Sequence, residues 1–277
     1  MFPEDTDIPL ETLRHYWQGT GRLAAWEVDD LCMHLHDLSL LLTCDLSANT
    51  IRLHDVMRSY LVQHVGQNLS PLHARFLDVS KQTLGLTRWA DLPANEHYLW
   101  QHLVLHLCRA LHIEELQATL TDPLYMAHKI LYVGVPALEA DLLQASKFGR
   151  AESTESAQSL FEFLHQMIVR ISDLLRQVSI LSEVGGLLLS YLGWQPPFAI
   201  QRPEVWSEIP RPFLTAWHPL PSRSSALRRT LRGHTGEVTS CAVSPDGSFI
   251  VSSSNDNTLK VWDVVTGEEC LTFTGHS

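Results

Sequence analysis

At 277 residues and 45% hydrophobic composition, the chain has room for about two domains with sizeable cores, and for a third. Its 20 Lys plus Arg stand against 31 Asp plus Glu, a formal net charge of -11, which argues against phosphate backbones and anionic membrane surfaces as partners and points toward proteins. The five cysteines, Cys32, Cys44, Cys108, Cys241 and Cys270, are odd in number and scattered, with no Cys-x-x-Cys pair. That usage excludes a zinc ribbon, fits a reducing cytosol better than a disulfide framework, and sets a cytoplasmic expectation. Met1 to Asp5 carries neither the basic region nor the apolar core of a signal peptide. The longest uncharged run, 184–201, is broken by glycines and prolines, falls short of the roughly 20 apolar residues that span a bilayer, and reads as a buried helix and a loop.

In chain order, Asp7 is placed to cap a helix whose first residue is Pro9, with Leu10, Leu13 and Trp17 on one face and Gly19 and Gly21 at its end. A second helix runs from Ala24 to about His36. The apolar runs 38–43 and 51–53, on either side of Ser47-Ala48-Asn49, predict a hairpin. Asp55 is then placed to cap a helix from Val56 to about Val65. The order helix, helix, hairpin, helix is that of a winged helix. Ser70-Pro71 opens a helical stretch that continues to about Leu192, with breaks at Gly85, Asp122-Pro123, Val135-Pro136 and the polar segment 149–159. Between Leu160 and Leu175, apolar residues recur at three- and four-residue steps, including Phe163, Met167, Ile171 and Leu174, so a long helix must bury a continuous stripe in an antiparallel array. Seven prolines between 194 and 225 then predict a semi-rigid connector.

After the connector the hydrophobic period switches to two. Four short strands are predicted over 238–244, 248–253, 258–263 and 270–273, with turns at Pro245-Asp246-Gly247, Asn255-Asp256-Asn257 and Thr266-Gly267. Gly233-His234 opens this unit and Gly275-His276 opens another 42 residues later, with Trp262-Asp263 between them. The pattern resembles one WD repeat, the four-stranded blade of a β-propeller, whose period is about 40–45 residues. His234, Ser252, Asp256 and Trp262 stand where such repeats carry a hydrogen-bonded tetrad. The residue types suit that role, since Trp only donates, ionised Asp only accepts, and His and Ser do both. The role implied is structural, and 227–231 would be an outer strand of the blade that closes the ring.

Further upstream, Phe2-Pro3-Glu4-Asp5 with Ile8-Pro9, Ser39-Leu40-Leu41, Leu53-His54-Asp55 with Tyr60-Leu61, and Tyr98-Leu99-Trp100-Gln101-His102-Leu103 follow one another. In that order they resemble the signal-transduction NTPases of the apoptotic protease-activating factor type (NB-ARC/STAND), with C-terminal WD repeats. The resemblance implies a mainly α fold with a C-terminal β segment: a winged-helix domain over 1–68, a helical arm of antiparallel hairpins over 69–193, a connector over 194–226, and a first WD blade over 227–277. It implies that His54 contacts the phosphates of bound ADP in a resting state. No phosphate-binding loop precedes any of the four lysines, Lys81, Lys129, Lys147 and Lys260, so ATP hydrolysis by that mechanism is not expected of this chain. On this reading the nucleotide domain would lie before Met1 and further blades after Ser277, making the chain an internal piece that binds no cofactor alone, with ADP or ATP bound only alongside the upstream domain.

No catalytic constellation is legible, and no metal site is expected. His102 and His106 have the i, i+4 spacing of a metal pair, but without the glutamate of a zinc hydrolase they read as the polar face of an arm helix. The expected function is a regulatory and protein-interaction scaffold, with a protein ligand at the propeller and self-association within a larger assembly, and with neither nucleic acid nor membrane as partner. The alternatives are a free-standing WD adaptor without nucleotide function, and a winged-helix DNA binder. The second is disfavoured because residues 1–65 hold four basic residues, Arg14, Arg22, Arg52 and Arg58, against ten acidic ones.

Overall fold

A computed structural model describes residues 2–3, 6–21, 23–66, 69–151, 155–193, 208–214 and 229–275. The first unit begins with a two-residue strand, β1 (Ile8–Pro9), followed by α1 (Leu10–Gly21), α2 (Ala25–Asp37), the hairpin β2 (Leu41–Asp45) and β3 (Thr50–Leu53), and α3 (Asp55–Val65). The three strands form one antiparallel sheet in the order β1-β3-β2. Pro9 therefore pairs with Thr50 rather than opening the helix, and Asp7 accepts from Arg52 Nε at 2.8 Å rather than capping it. A proline lacks only its N–H and tolerates an edge strand as well as a helix start, so the long-range partner decides. The small core of this unit gathers Ile8, Leu10, Leu13, Val28, Cys32, Leu41 and Ile51. Arg14 pins its corner by forking onto both carboxylate oxygens of Asp29, each at 2.9 Å, and by donating to Asn49 at 2.9 Å.

The arm comprises α4 (Leu69–Leu84), α5 (His97–Ala110), α6 (Ile113–Leu120), α7 (Pro123–Tyr132), α8 (Val135–Ala151), α9 (Glu155–Leu175) and α10 (Leu181–Leu192). Its core is centred on α5, where Trp100 is fully buried and stacks on Tyr125 of α7 with ring centroids 5.4 Å apart. The stripe of α9 is Phe161, Leu164, Ile168, Ile171 and Leu175, all at most 1% exposed, at strict three- and four-residue steps. Phe163 and Met167 pack beside that stripe rather than within it. Asp122 caps α7 through the amides of Leu124 and Tyr125, with Pro123 in the first turn. The break between α5 and α6 was not expected, because the residue that takes the left-handed conformation there is Leu111, at φ 63°, where a glycine would have signalled it. The helices α8 and α9 also extend into the polar segment 149–159 from both sides.

Phe2 joins the two units. Its ring meets Phe76 at 6.0 Å and Tyr98 at 5.4 Å edge to face, and its carbonyl accepts from Arg58 Nε of α3 at 2.8 Å. Of the expected connector, only 208–214 falls among the described residues. That strap crosses α10, where Ile209 is 1% exposed and a Cβ on Gly185 would come within 2.5 Å of Ile209 Cγ2.

The last unit is a four-stranded antiparallel sheet, β4 (Val238–Val243), β5 (Phe249–Ser254), β6 (Thr258–Asp263) and β7 (Glu269–Thr274), in sequential order. Among the four strands, burial is confined to β5 and β6, while every position of β4 and β7 is exposed. The strand expected over 227–231 does not form in its described part: 229–231 is irregular, and 227–228 lies outside the described residues. A strand needs a hydrogen-bonding neighbour, and Arg229 is engaged elsewhere, with Glu139 on α8.

Candidate functional site

The blade brings His234, Ser252, Asp256 and Trp262 together. Trp262 Nε1 donates to Ser252 Oγ at 2.8 Å, Ser252 Oγ lies 2.8 Å from His234 Nε2, and His234 Nδ1 lies 2.9 Å from Asp256 Oδ2. Because the indole can only donate, Ser252 spends its own proton on His234 Nε2, and the imidazole then carries its proton on Nδ1 toward the carboxylate. The relay crosses from the segment before β4, through β5, to β6. Trp262 and Ser252 are 3% and 6% exposed, so each polar atom here must find its partner inside the protein.

Asp256 is also held by Thr258, whose hydroxyl donates to Oδ1 at 2.6 Å and whose amide does so at 3.0 Å, while the Thr235 amide reaches Oδ2 at 2.9 Å. These bonds, the Thr258 hydroxyl foremost, hold the Asp256 carboxyl well below the usual carboxylate range. Thr258 was not singled out in the sequence, although its place two residues after Asp256 is the spacing of an Asx-type turn. In the β4–β5 turn, Ser244 and Ser248 hydroxyls hold the Asp246 carboxyl down at about 2. Ser252, His234 and Asp256 stand in the order of a hydroxyl, a base and an orienting carboxylate, but the Ser252 side chain is buried and its oxygen already accepts from the Trp262 indole, so the relay braces the blade from inside.

His54 and Asp55 take no part in that network. His54 occupies the cap position of α3, and its Nδ1 accepts from the Val56 amide over a long 3.4 Å. Asp55 is thus the first helical residue and not the cap, with its charge at the positive end of the helix. Both side chains are exposed at the junction of β3 and α3.

The histidine pair on α5 is not a polar face. His106 is fully buried, with Nδ1 3.0 Å from His73 Nδ1 on α4 and Nε2 2.8 Å from the Tyr98 hydroxyl. Burial pushes His106 well below the usual imidazole range and His73 down to about 4, so the pair is neutral. Spacing alone could not reveal this, because the partner on α4 is 33 residues away in sequence. Among the described residues no group of three or more His, Cys, Asp or Glu could hold a metal, and no helix is long and apolar enough to cross a membrane.

Fold and tetrad together define a WD-type blade carried on a helical arm. Residues 69–177 match the family model described as the APAF-1 helical domain, and residues 225–263 match the WD domain, G-beta repeat. The two matches are consistent with an APAF-1-like protein. Relatives share mainly the repeat. The guanine nucleotide-binding protein G(I)/G(S)/G(T) subunit beta-1 of Homarus americanus is 47% identical over 51 residues, covering 18% of this chain and 15% of that protein. The pre-mRNA-splicing factor PRP46 of Eremothecium gossypii is 38% identical over 93 residues, 33% of this chain and 20% of that protein. The small ribosomal subunit protein RACK1z of Arabidopsis thaliana is 43% identical over 51 residues, 18% of this chain and 16% of that protein. The chain thus spans about a fifth or less of the length of these relatives.

Proposed function

We propose that the chain is the regulatory and scaffolding part of a nucleotide-controlled signalling NTPase, non-catalytic itself and cytoplasmic, with its WD unit receiving a protein ligand. The observation that carries this reading is the colinear order of an APAF-1 helical domain match and a WD repeat with its tetrad hydrogen-bonded. The winged-helix assignment of the first unit is supported by its β1-α1-α2-β2-β3-α3 order and three-stranded sheet. Its acidic balance speaks against DNA as the ligand of that unit.

His54 is the residue proposed to sense ADP. Accepting from Val56 through Nδ1 leaves the neutral ring's proton on Nε2, so the imidazole can donate outward at the positive end of α3, which suits one phosphate oxygen. One imidazole and one helix terminus make a single contact and not a phosphate cradle, so the main binding groups belong to a nucleotide domain outside this chain. ADP retention by a polypeptide extended upstream, with and without His54→Ala, tests the assignment. Loss of retained ADP is expected, and unchanged retention refutes it.

A further inference from the structure

The far end of the arm meets the blade through charged groups that neither unit assembles alone. On the arm, α8 supplies Glu139, and α9 with the residue after it supplies Asp173 and Arg176. From the segment before β4, Arg229 donates to Glu139 at 2.7 Å, and these two side chains are only 11% and 6% exposed. Arg232 pairs with the nearly buried Asp173 at 3.3 Å. A second arm of the Arg229 guanidinium donates to the carbonyl of Thr266, in the turn between β6 and β7. Arg176 donates to that same carbonyl and, at 3.2 Å, to the carbonyl of Gly267. Two forked donors from different parts of the chain thus converge on two successive carbonyls of one turn.

The turn is shaped for this. Gly267 has φ 70°, in the left-handed region, and a Cβ there would occupy the space of Arg229 Cδ. The exchange is also anchored in the arm, because burial raises the Glu139 carboxyl while Arg229 draws it back down. Exposed ion pairs hold modules weakly, but a desolvated carboxylate that loses its guanidinium is left with an expensive bare charge. A second attachment lies on the strap, where Glu208 pairs with Arg88 and Ile209 is seated over Gly185.

We propose that the α8–α9 end of the arm is a preformed seat for the β6–β7 turn of this chain's own blade, read through backbone carbonyls by Arg176 and Arg229. Arm and blade then move as one rigid body. A displacement of the blade is delivered to the helical arm instead of being absorbed in the proline-rich connector. The seat does not depend on the proposed nucleotide function, and it predicts where a signal arriving at the propeller would be passed on.

Double electron–electron resonance on the full chain tests this, with spin labels at Leu143→Cys on α8 and Val243→Cys on β4. Both positions are exposed, and Cys44, Cys241 and Cys270 would be replaced by serine to leave only buried thiols. One narrow distance population is expected in this parent. Arg176→Ala/Arg229→Ala should broaden it at least about twofold without loss of helical circular dichroism, since both guanidiniums and their three bonds to the carbonyls of the turn are gone. Gly267→Ala should broaden it likewise while leaving both arginines in place, and it decides the matter alone if the double variant loses helix. A broad population in the parent, or an unchanged narrow one in Gly267→Ala, overturns the proposal.

Discussion

Lys129 of α7 is completely buried in the arm, pairs with Asp141 of α8 at 2.7 Å and donates to the carbonyl of Trp100. Despite that neighbour, burial raises the Asp141 carboxyl to about 6. The folded carboxyl therefore holds its proton to a higher pH than the unfolded one, so its contribution to stability falls as pH rises from about 4 through about 6. Lys129→Met removes the cation that faces this group among the described residues and leaves a buried carboxylate without its partner. Breaking one side of a buried pair costs about 3–5 kcal/mol. For a domain of this size that is a fall in melting temperature of about 6–20 °C at pH 8, followed by helical circular dichroism. At pH 5 the orphaned carboxyl takes up a proton and the loss should shrink by more than about 1 kcal/mol, since each unit of pH below its pKa is worth about 1.4 kcal/mol. Lys129→Met/Asp141→Leu, which replaces both charges by apolar groups, should recover most of the stability. A Lys129→Met protein that melts within about 2 °C of the parent at pH 8, or loses equally at both pH values, would refute the account of a desolvated pair.

Ser252→Ala removes the atom that joins Trp262 to His234 and leaves a buried indole N–H unpaired, at a cost of about 1–3 kcal/mol. Amides over 249–263 should exchange faster with deuterium while those of α5 stay unchanged, and equal exchange across the blade would dismiss the relay as a stabilising element. The buried His73 and His106 stabilise the fold in the neutral form, and that contribution is lost as pH falls from about 6.5 toward about 4. Through His73 alone the parent should lose about 2 kcal/mol between pH 7.5 and pH 5 in urea unfolding. In His73→Leu/His106→Leu that acid slope should flatten, and an undiminished slope would place its origin elsewhere.

Residues close in sequence were the ones whose roles could be read. The four strands of the blade, their turns and the tetrad lie within one 42-residue repeat, where antiparallel neighbours follow one another and spacing nearly determines geometry. The helices of the arm were legible for the same reason, since a 3.6-residue period is a local property. What local patterns could not show was which distant group an ambiguous residue would choose. Pro9 suited a helix start until Thr50 paired with it. His102 and His106 shared a helical face, yet that face turned inward because His73 and Tyr98 waited there. Leu111 broke the helix without a glycine to announce it.

By itself, then, the sequence determined the kinds and order of the elements, the blade with its internal hydrogen bonds, and an acidic chain suited to protein partners. Tertiary structure alone decided that Lys129 and Asp141 are buried together, that Asp55 yields the cap to His54, and that Arg176 and Arg229 grip the Thr266-Gly267 turn. The physical reason is distance along the chain. Backbone preference and hydrophobic period act over a few residues, whereas a charge or a carbonyl is satisfied by whichever partner folding brings to it, and for Arg176 that partner lies 90 residues away.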